Sequence, residues 1–272
     1  MRRLDELWIH TGTACNLECP FCLEGSRPGD TRLERIKLNE IKPYLDQASQ
    51  MGVRRFCFTG GEPLIVKDIV NILEYALYLK PCLIVSNGTA PLLKRLHQLQ
   101  LLKRQTHPLS FSISLDYPNQ QQHDTGRGWG NFQRAIEGLQ LLHAQGFPLA
   151  IIRQIHDGED KHTVIESFTL LLRKSNLPED IAIHALPDFG RPCVTQTGEQ
   201  AGLLAPLDPS HLKCSQSRML LKRDGQLRIY SCLFTDDDAH FDMGSSLQDA
   251  VVTAVTPTHH RCQQCMRNTI SL

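Results

Sequence analysis

Three cysteines, Cys15, Cys19 and Cys22, fall within the stretch Thr13-Ala14-Cys15-Asn16-Leu17-Glu18-Cys19-Pro20-Phe21-Cys22. Thiolates placed so closely along a chain suit an iron–sulfur cluster. A structural zinc site normally takes four protein ligands; no neighbouring residue offers an obvious fourth, so zinc would need a distant one. A [4Fe–4S] cluster held by three cysteines keeps one iron open to a substrate or cofactor. Four further cysteines, Cys214, Cys232, Cys262 and Cys265, gather toward the C-terminal end, with Gly225 between the first two. Four thiolates serve zinc or an iron–sulfur cluster, and spacing does not separate the two. Cys57, flanked by Phe56 and Phe58, reads as a buried apolar residue, and Cys82 likewise; Cys193 has no assigned role.

The elements that must position these thiols are legible as alternation. Strand-like runs cover Leu7 to His10, Arg55 to Thr59, Leu83 to Ser86, Leu109 to Leu115, Leu149 to Ile155 and Ile181 to Leu186. Between them, apolar residues recur at helical intervals over Leu38 to Met51, Lys67 to Lys80, Pro91 to Lys103, Phe132 to Gln145 and Lys161 to Lys174. Strands alternating with helices predict an α/β fold on a parallel sheet, open or curled into part of a barrel, with the site at the C-terminal strand ends. After Gly190 the pattern changes. Residues 191–211 are rich in Pro, Gly, Thr and Gln and read as a linker or covering loop. Residues 212–272 carry a strand at Leu227 to Tyr230 and a helix at Ser246 to Val255. So short a segment gains from a metal site as a staple.

Composition bounds the rest. The chain has 272 residues, 41% hydrophobic and 21% charged, with 29 basic against 29 acidic side chains. A net charge of zero speaks against a general nucleic-acid or anionic-membrane binder. No apolar run approaches a membrane span, and Met1 to Glu6 leads into a strand without a signal-peptide core, so a cytoplasmic protein is expected. In that reducing compartment ten cysteines point to metal or redox chemistry rather than disulfides.

The predicted strand ends carry polar motifs. Thr59-Gly60-Gly61-Glu62-Pro63 combines glycines, which let backbone approach a ligand, with a carboxylate that can accept from an ammonium group; it also suits a plain strand-to-helix turn. Ser86-Asn87-Gly88-Thr89 and Ser112-Ile113-Ser114-Leu115-Asp116 offer groups for ribose recognition or for helix capping. Arg127, within His123-Asp124-Thr125-Gly126-Arg127-Gly128-Trp129-Gly130-Asn131-Phe132, could fork onto a carboxylate or lie solvated in a loop. Arg153, Gln154, His156, His184 and Asp188 are candidates for a substrate pocket, without assigned roles.

In this order the motifs resemble the radical S-adenosylmethionine superfamily, whose signature is the Cys-x3-Cys-x2-Cys loop with an aromatic residue, here Phe21, before the last cysteine. The resemblance implies a partial (β/α)6 TIM-like barrel over 1–190 and a [4Fe–4S] cluster on Cys15, Cys19 and Cys22. Its open iron would chelate the amino and carboxylate groups of S-adenosylmethionine. Gly60, Gly61, Glu62 and Pro63 would meet the methionine amino group, with Ser86 and Asn87 as further cofactor-binding residues. Ser114 and Asp116 would lie near the ribose and methionine carboxylate, and Arg127 would pair with that carboxylate. The four C-terminal cysteines resemble the ligands of a twitch domain, a truncated SPASM domain with one auxiliary [4Fe–4S] cluster, in a small α+β unit over 212–272. This chain departs from that pattern with six residues, not four, between Gly225 and Cys232.

The implied activity is cleavage of S-adenosylmethionine to a 5′-deoxyadenosyl radical and removal of a substrate hydrogen, with net oxidation through the auxiliary cluster. The implied partners are a small-molecule or peptide substrate and a flavodoxin- or ferredoxin-type reductant. A first strand starting almost at the N-terminus mildly favours a small molecule. Similar enzymes that mature ribosomal peptides, by cross-linking or epimerisation, supply the second expectation. A non-catalytic iron–sulfur electron carrier or zinc-binding protein is the alternative of another class; a carrier has no need of Gly-Gly-Glu-Pro or a carboxylate-binding arginine.

Overall fold

A computed structural model describes residues 4–156, 158–189 and 212–267. The expected linker 191–211, and Cys193 within it, lie outside the described residues. Six strands alternate with helices: β1 (Glu6–His10), α1 (Leu38–Gln50), β2 (Arg55–Thr59), α2 (Ile69–Leu79), β3 (Cys82–Ser86), α3 (Ala90–Leu101), β4 (Leu109–Ser114), α4 (Gln120–Arg127), α5 (Asn131–Ala144), β5 (Leu149–Gln154), α6 (Lys161–Lys174) and β6 (Ala182–Leu186). Each of these strands pairs in parallel with the next in sequence. Such an arrangement is a partial (β/α)6 barrel, which gathers its loops at the C-terminal strand ends.

The period of two along each strand sorts side chains to opposite faces. On β1, Leu7 and Ile9 are fully buried in the main hydrophobic cluster, while Glu6 and Trp8 line the lumen. On β4, Leu109, Phe111 and Ile113 join that cluster, and Ser114 faces the upper lumen. Cys57 and Cys82 are buried at 0% and 1% exposure, as a reading of them as small apolar residues requires.

Residues 212–267 extend this sheet. β7 (Ser217–Arg223) pairs in parallel with β1, Glu6 opposite Ser217 and Ile9 opposite Leu220. β8 (Gln226–Tyr230) returns antiparallel, giving an eight-stranded order β6-β5-β4-β3-β2-β1-β7-β8. Asp224 and Gly225 turn the hairpin with φ of 50° and 76°, the left-handed pair that an Asp-Gly turn supplies. α7 (Leu247–Val252) and α8 (Cys262–Arg267) complete the segment. Leu220, Ile229, Leu247 and Ala250 belong to the same cluster as Leu7 and Ile9, so a segment poor in apolar residues shares the barrel's core.

Two elements differ from the sequence-based expectation. The stretch before Arg127, to which the sequence reading assigned no helix, is the helix α4, capped by Asn119, whose side chain accepts from Gln122 N. Arg127 is its last residue and is not solvated. β7 was not anticipated as a strand, because Ser217-Arg218-Met219-Leu220-Leu221-Lys222-Arg223 shows no clean alternation. Among the described residues no helix is long and apolar enough to cross a membrane.

Candidate active site

The cysteine loop leaves the end of β1 and is fixed by backbone on both sides. Thr11 N donates to Thr59 O at 2.8 Å, Gly61 N to Gly12 O at 2.9 Å and Glu62 N to Ala14 O at 3.1 Å. The approach is close enough to require glycine. A Cβ on Gly61 would lie 2.2 Å from the Ala14 carbonyl oxygen, and Gly60 adopts φ +140° against Thr11 and Gly12. His10, fully buried at the end of β1, accepts from Gly12 N at Nδ1 (3.1 Å) and hydrogen-bonds the Glu24 carboxylate through Nε2. That bond ties the residue two beyond Cys22 back to the strand.

Glu62 is fully buried behind the loop. Its carboxylate accepts from Leu64 N (3.0 Å), Ser86 Oγ (2.9 Å) and Asn87 N (2.8 Å), so it clamps the ends of β2 and β3 together. Burial raises its pKa, against the opposing pull of those donors. Asn87 Nδ2 in turn donates to Asn16 Oδ1 at 3.0 Å and approaches Cys15 Sγ at 3.8 Å. Leu17 N donates to the same sulfur at 3.4 Å, a hydrogen bond of the kind that tunes ligating thiolates.

Asp116 and Arg127 form an ion pair through Nε and Oδ2, both side chains largely withdrawn from solvent. Burial alone would raise the Asp116 carboxyl; the Arg127 guanidinium and the Gln154 N–H outweigh it and hold the group below the usual carboxylate range. The Arg127 guanidinium also sits 5.6 Å above the Phe21 ring, which rests against Gly126. The aromatic residue before Cys22 is thereby held between the cysteine loop and α4.

The second set of thiols approaches from the C-terminal segment. Cys232 Sγ accepts from Phe234 N at 3.5 Å, and its electrostatic neighbours are Cys214, Cys265 and Cys262. Burial pushes Cys262 up to about 11 and Cys265 to about 12, and does the same to Cys15 in the first set, to about 12. Ligation by any of these sulfurs therefore releases a proton. His259 orients the turn into α8: it contacts Asp237 at 3.1 Å and accepts from Arg261 N at Nδ1 (3.2 Å).

One cavity of about 560 Å³ joins the two sets. Cys15, Cys19 and Cys22 line it together with Cys214, Cys232, Cys262 and Cys265. Gly60, Gly61, Ser86, Asn87, Ser114, Asp116 and Arg127 also lie on its wall, whereas Glu62 and Pro63 stand behind it. Arg153 and Gln154 reach it from β5. His184 instead lines a smaller cavity of about 250 Å³ toward the other end of the barrel. His156 stacks on Tyr117 with ring centroids 4.3 Å apart, and Asp188 lines neither cavity. A three-thiol loop thus lies beside a glycine cradle and an ion pair, and four further thiols line the same cavity; among the described residues no three His, Cys, Asp or Glu side chains are grouped to hold a single metal ion.

The sequence model described as the radical SAM superfamily matches residues 9–171, β1 through α6. The chain belongs to that superfamily. It is an enzyme, and its cofactors are a [4Fe–4S] cluster and S-adenosylmethionine. Among curated relatives, a GTP 3′,8-cyclase of Desulforamulus reducens is 30% identical over 164 residues, 58% of this chain and 50% of the cyclase. The antilisterial bacteriocin subtilosin biosynthesis protein AlbA of Bacillus subtilis is 30% identical over 145 residues, 53% of this chain and 31% of AlbA. The chain thus spans half or less of these relatives' length. Among solved structures, anSMEcpe with bound AdoMet superposes with a TM-score of 0.65 at 13% identity, over 91% of this chain and 77% of that one. SuiB of Streptococcus suis bound to precursor peptide SuiA gives 0.57 at 18% identity, over 69% and 40%. At such identities these structures speak to the fold, and they share the radical SAM architecture.

Sequence reasoning missed three parts of this site. The His10–Glu24 bond joins residues 14 apart with no motif between them. Arg153 is closed by a two-point contact with Glu159, at 2.6 Å for the Nη1 bond. Trp8 and Ile152 line the cavity as ordinary strand residues, and only the alternation of β1 and β5 could have found them.

Proposed function

We propose that this radical SAM enzyme removes a hydrogen atom from an organic substrate held between two iron–sulfur clusters, with net oxidation of that substrate. The chemistry supplied by a [4Fe–4S] cluster and S-adenosylmethionine is reductive cleavage of the sulfonium to methionine and a 5′-deoxyadenosyl radical that takes the hydrogen. Cys15, Cys19 and Cys22 would ligate the first cluster, and Cys214, Cys232, Cys262 and Cys265 an auxiliary [4Fe–4S] cluster able to accept an electron. A cluster with four protein ligands has no open iron for substrate, which leaves it electron transfer or support.

The observation that carries this reading is the single cavity lined by both thiol sets. The residues around it divide the remaining work. Gly60 and Gly61 bring backbone polar groups to the mouth of the cysteine loop, at the methionine amino group. Arg127 has its Nε bound to Asp116, which aims the terminal guanidinium nitrogens and suits them to a carboxylate. Ser86, Asn87 and Ser114 supply hydroxyl and amide groups for the ribose. The apolar wall excludes water from a reactive radical. A flavodoxin- or ferredoxin-type protein would supply the reducing electron.

Peptide maturation, as a cross-link or an epimerisation, is the second reading. It is favoured by AlbA, a subtilosin biosynthesis protein, and by SuiB, solved with a precursor peptide. Reconstituting the protein anaerobically and adding dithionite and S-adenosylmethionine tests the first step. Wild type should form 5′-deoxyadenosine, Cys19→Ala should form none, and Cys232→Ala should retain cleavage while losing substrate turnover. Equal cleavage by wild type and Cys19→Ala would refute the assignment of the first cluster.

A further inference from the structure

The three-thiol loop closes on itself. Cys15 N donates to Arg27 O at 3.2 Å and Ala14 pairs with Arg27 as an isolated parallel bridge, so the chain that leaves Cys22 returns to where the loop began. That return is pinned on the way. Gly25 N donates to Cys22 O at 3.0 Å, His10 holds the Glu24 carboxylate, and Arg32 donates to Glu24 O at 2.9 Å. Ser26 sits between these fixed points, on the wall of the shared cavity.

Of the hydroxyl and amide side chains on that wall, Ser26 alone has a polar atom that is both shielded from solvent and without a hydrogen-bond partner among the described residues. The residue is 4% exposed. A buried hydroxyl without a partner is costly to fold, which points to one supplied when the site is filled. Because the oxygen itself is shielded, that partner belongs to the loop rather than to a substrate moving through the open cavity. Cys22 is the group that Ser26 already meets: the N–H groups of Glu24 and Ser26 both donate to its sulfur.

Burial and the neighbouring Glu24 carboxylate disfavour negative charge on that sulfur, with the two N–H groups and Arg127 opposing them. A reduced cluster carries its added electron partly on sulfur, and hydrogen bonds to the ligating sulfurs shift its potential. We infer that the Ser26 hydroxyl donates to the Cys22 sulfur once that sulfur ligates the first cluster, and raises the potential at which the cluster takes up an electron. A neutral thiol is a weak acceptor and a ligating thiolate a stronger one, so the bond belongs to the cluster-bound protein. Ser26 is then a positioning residue that acts through Cys22. The inference rests on the proposed reading of Cys15, Cys19 and Cys22 as ligands, and adds to it a residue outside their motif.

Electron paramagnetic resonance of the anaerobically reconstituted protein, in a mediated redox titration, measures this potential; the first cluster's signal is the one that Cys19→Ala lacks. Ser26→Ala removes no side-chain hydrogen bond among the described residues, so it should keep the wild-type melting temperature and iron content. Its first cluster should be roughly tenfold harder to reduce, a shift of about 59 mV to lower potential for one electron. Proton double resonance on the reduced cluster should lose one exchangeable coupling in the same variant, a readout that packing does not move. An unchanged potential in Ser26→Ala with its cluster in place would overturn the inference. So would an unchanged potential with weaker S-adenosylmethionine binding, which gives the hydroxyl to the cofactor, or loss of iron from the first site, which makes Ser26 a structural residue. Equal iron in wild type and Cys19→Ala would refute instead the assignment of the thiols, so the two failures are distinguishable.

Discussion

At the scale of single residues, buried titratable groups set how the protein responds to acid. His123 is 1% exposed, and neither ring nitrogen has a hydrogen-bond partner among the described residues. Burial, and then the nearby Arg127 charge, lower its pKa to about 4, against the opposing pull of Asp116 and Asp124. The folded protein therefore keeps this ring neutral where the unfolded chain would protonate it. Its contribution is fully present above about pH 6.5 and is lost as pH falls from there to about 4, on the order of 3 kcal/mol. His123→Phe, which keeps the aromatic contact with Phe132, should flatten the melting temperature over that window. Asp116 adds a lower-lying loss. Its pKa is depressed, so its stabilisation is present above the usual carboxylate value and fades as pH drops through the folded value. Asp116→Asn should cost about 3 kcal/mol at neutral pH in denaturant titration, because Arg127 keeps a charge that Asp116 no longer answers. The sequence made Asp116 and Arg127 visible as types in order along the chain. It could not show that the two pair with each other, since the pairing depends on α4 forming and bringing Arg127 back to Asp116 just beyond β4.

At the scale of elements, close approach explains which positions tolerate no side chain. A Cβ on Gly126 would lie 2.2 Å from the Phe21 ring, and one on Gly61 2.2 Å from the Ala14 carbonyl oxygen. The two obstacles differ, since a ring can swing aside at some cost and a backbone cannot. Gly61→Ala should therefore lower stability by about 1–3 kcal/mol and reduce iron bound at the first site, while Gly126→Ala should show the smaller effect. Iron and sulfide counts on anaerobically purified variants check this; if the proposed auxiliary cluster accompanies the first, wild type should carry roughly eight irons. The alternation of β1 through β6 was legible because each strand and helix carries its own period, and boundaries moved by a residue or two. α4 was not, since Gln120-Gln121-Gln122-His123-Asp124-Thr125-Gly126-Arg127 has no aliphatic residue to mark a helical face. β7 was missed for a different reason: its place beside β1 is fixed by tertiary pairing, which no local pattern encodes.

At the scale of the whole molecule, ionic contacts join the segment after the first thiols to the hairpin β7–β8 and the turn beyond Cys232. Arg32 donates to Glu24 O at 2.9 Å and pairs with Asp236, which Arg223 also reaches at 3.1 Å. Lys222 meets Glu40 at 2.7 Å, and Gly225 N donates to the Glu34 carboxylate. Asp236, at 3% exposure, is thus the shared counterion of two arginines. Asp236→Asn should destabilise the fold by about 3 kcal/mol and slow substrate turnover more than S-adenosylmethionine cleavage, read by comparing product with 5′-deoxyadenosine. The seven thiols were legible as two groups from spacing alone, but their convergence on one cavity was not, because it depends on β7 joining the barrel sheet. On the proposed reading, the iron left open by Cys15, Cys19 and Cys22 takes S-adenosylmethionine. The most direct test of that reading is electron–nuclear double resonance on the dithionite-reduced protein with S-adenosylmethionine labelled with 17O in its carboxylate or 15N in its amino group. A hyperfine coupling from those atoms to the cluster, present in wild type and in Cys232→Ala and absent in Cys19→Ala, is the predicted result. Bound S-adenosylmethionine with no such coupling in wild type would contradict it.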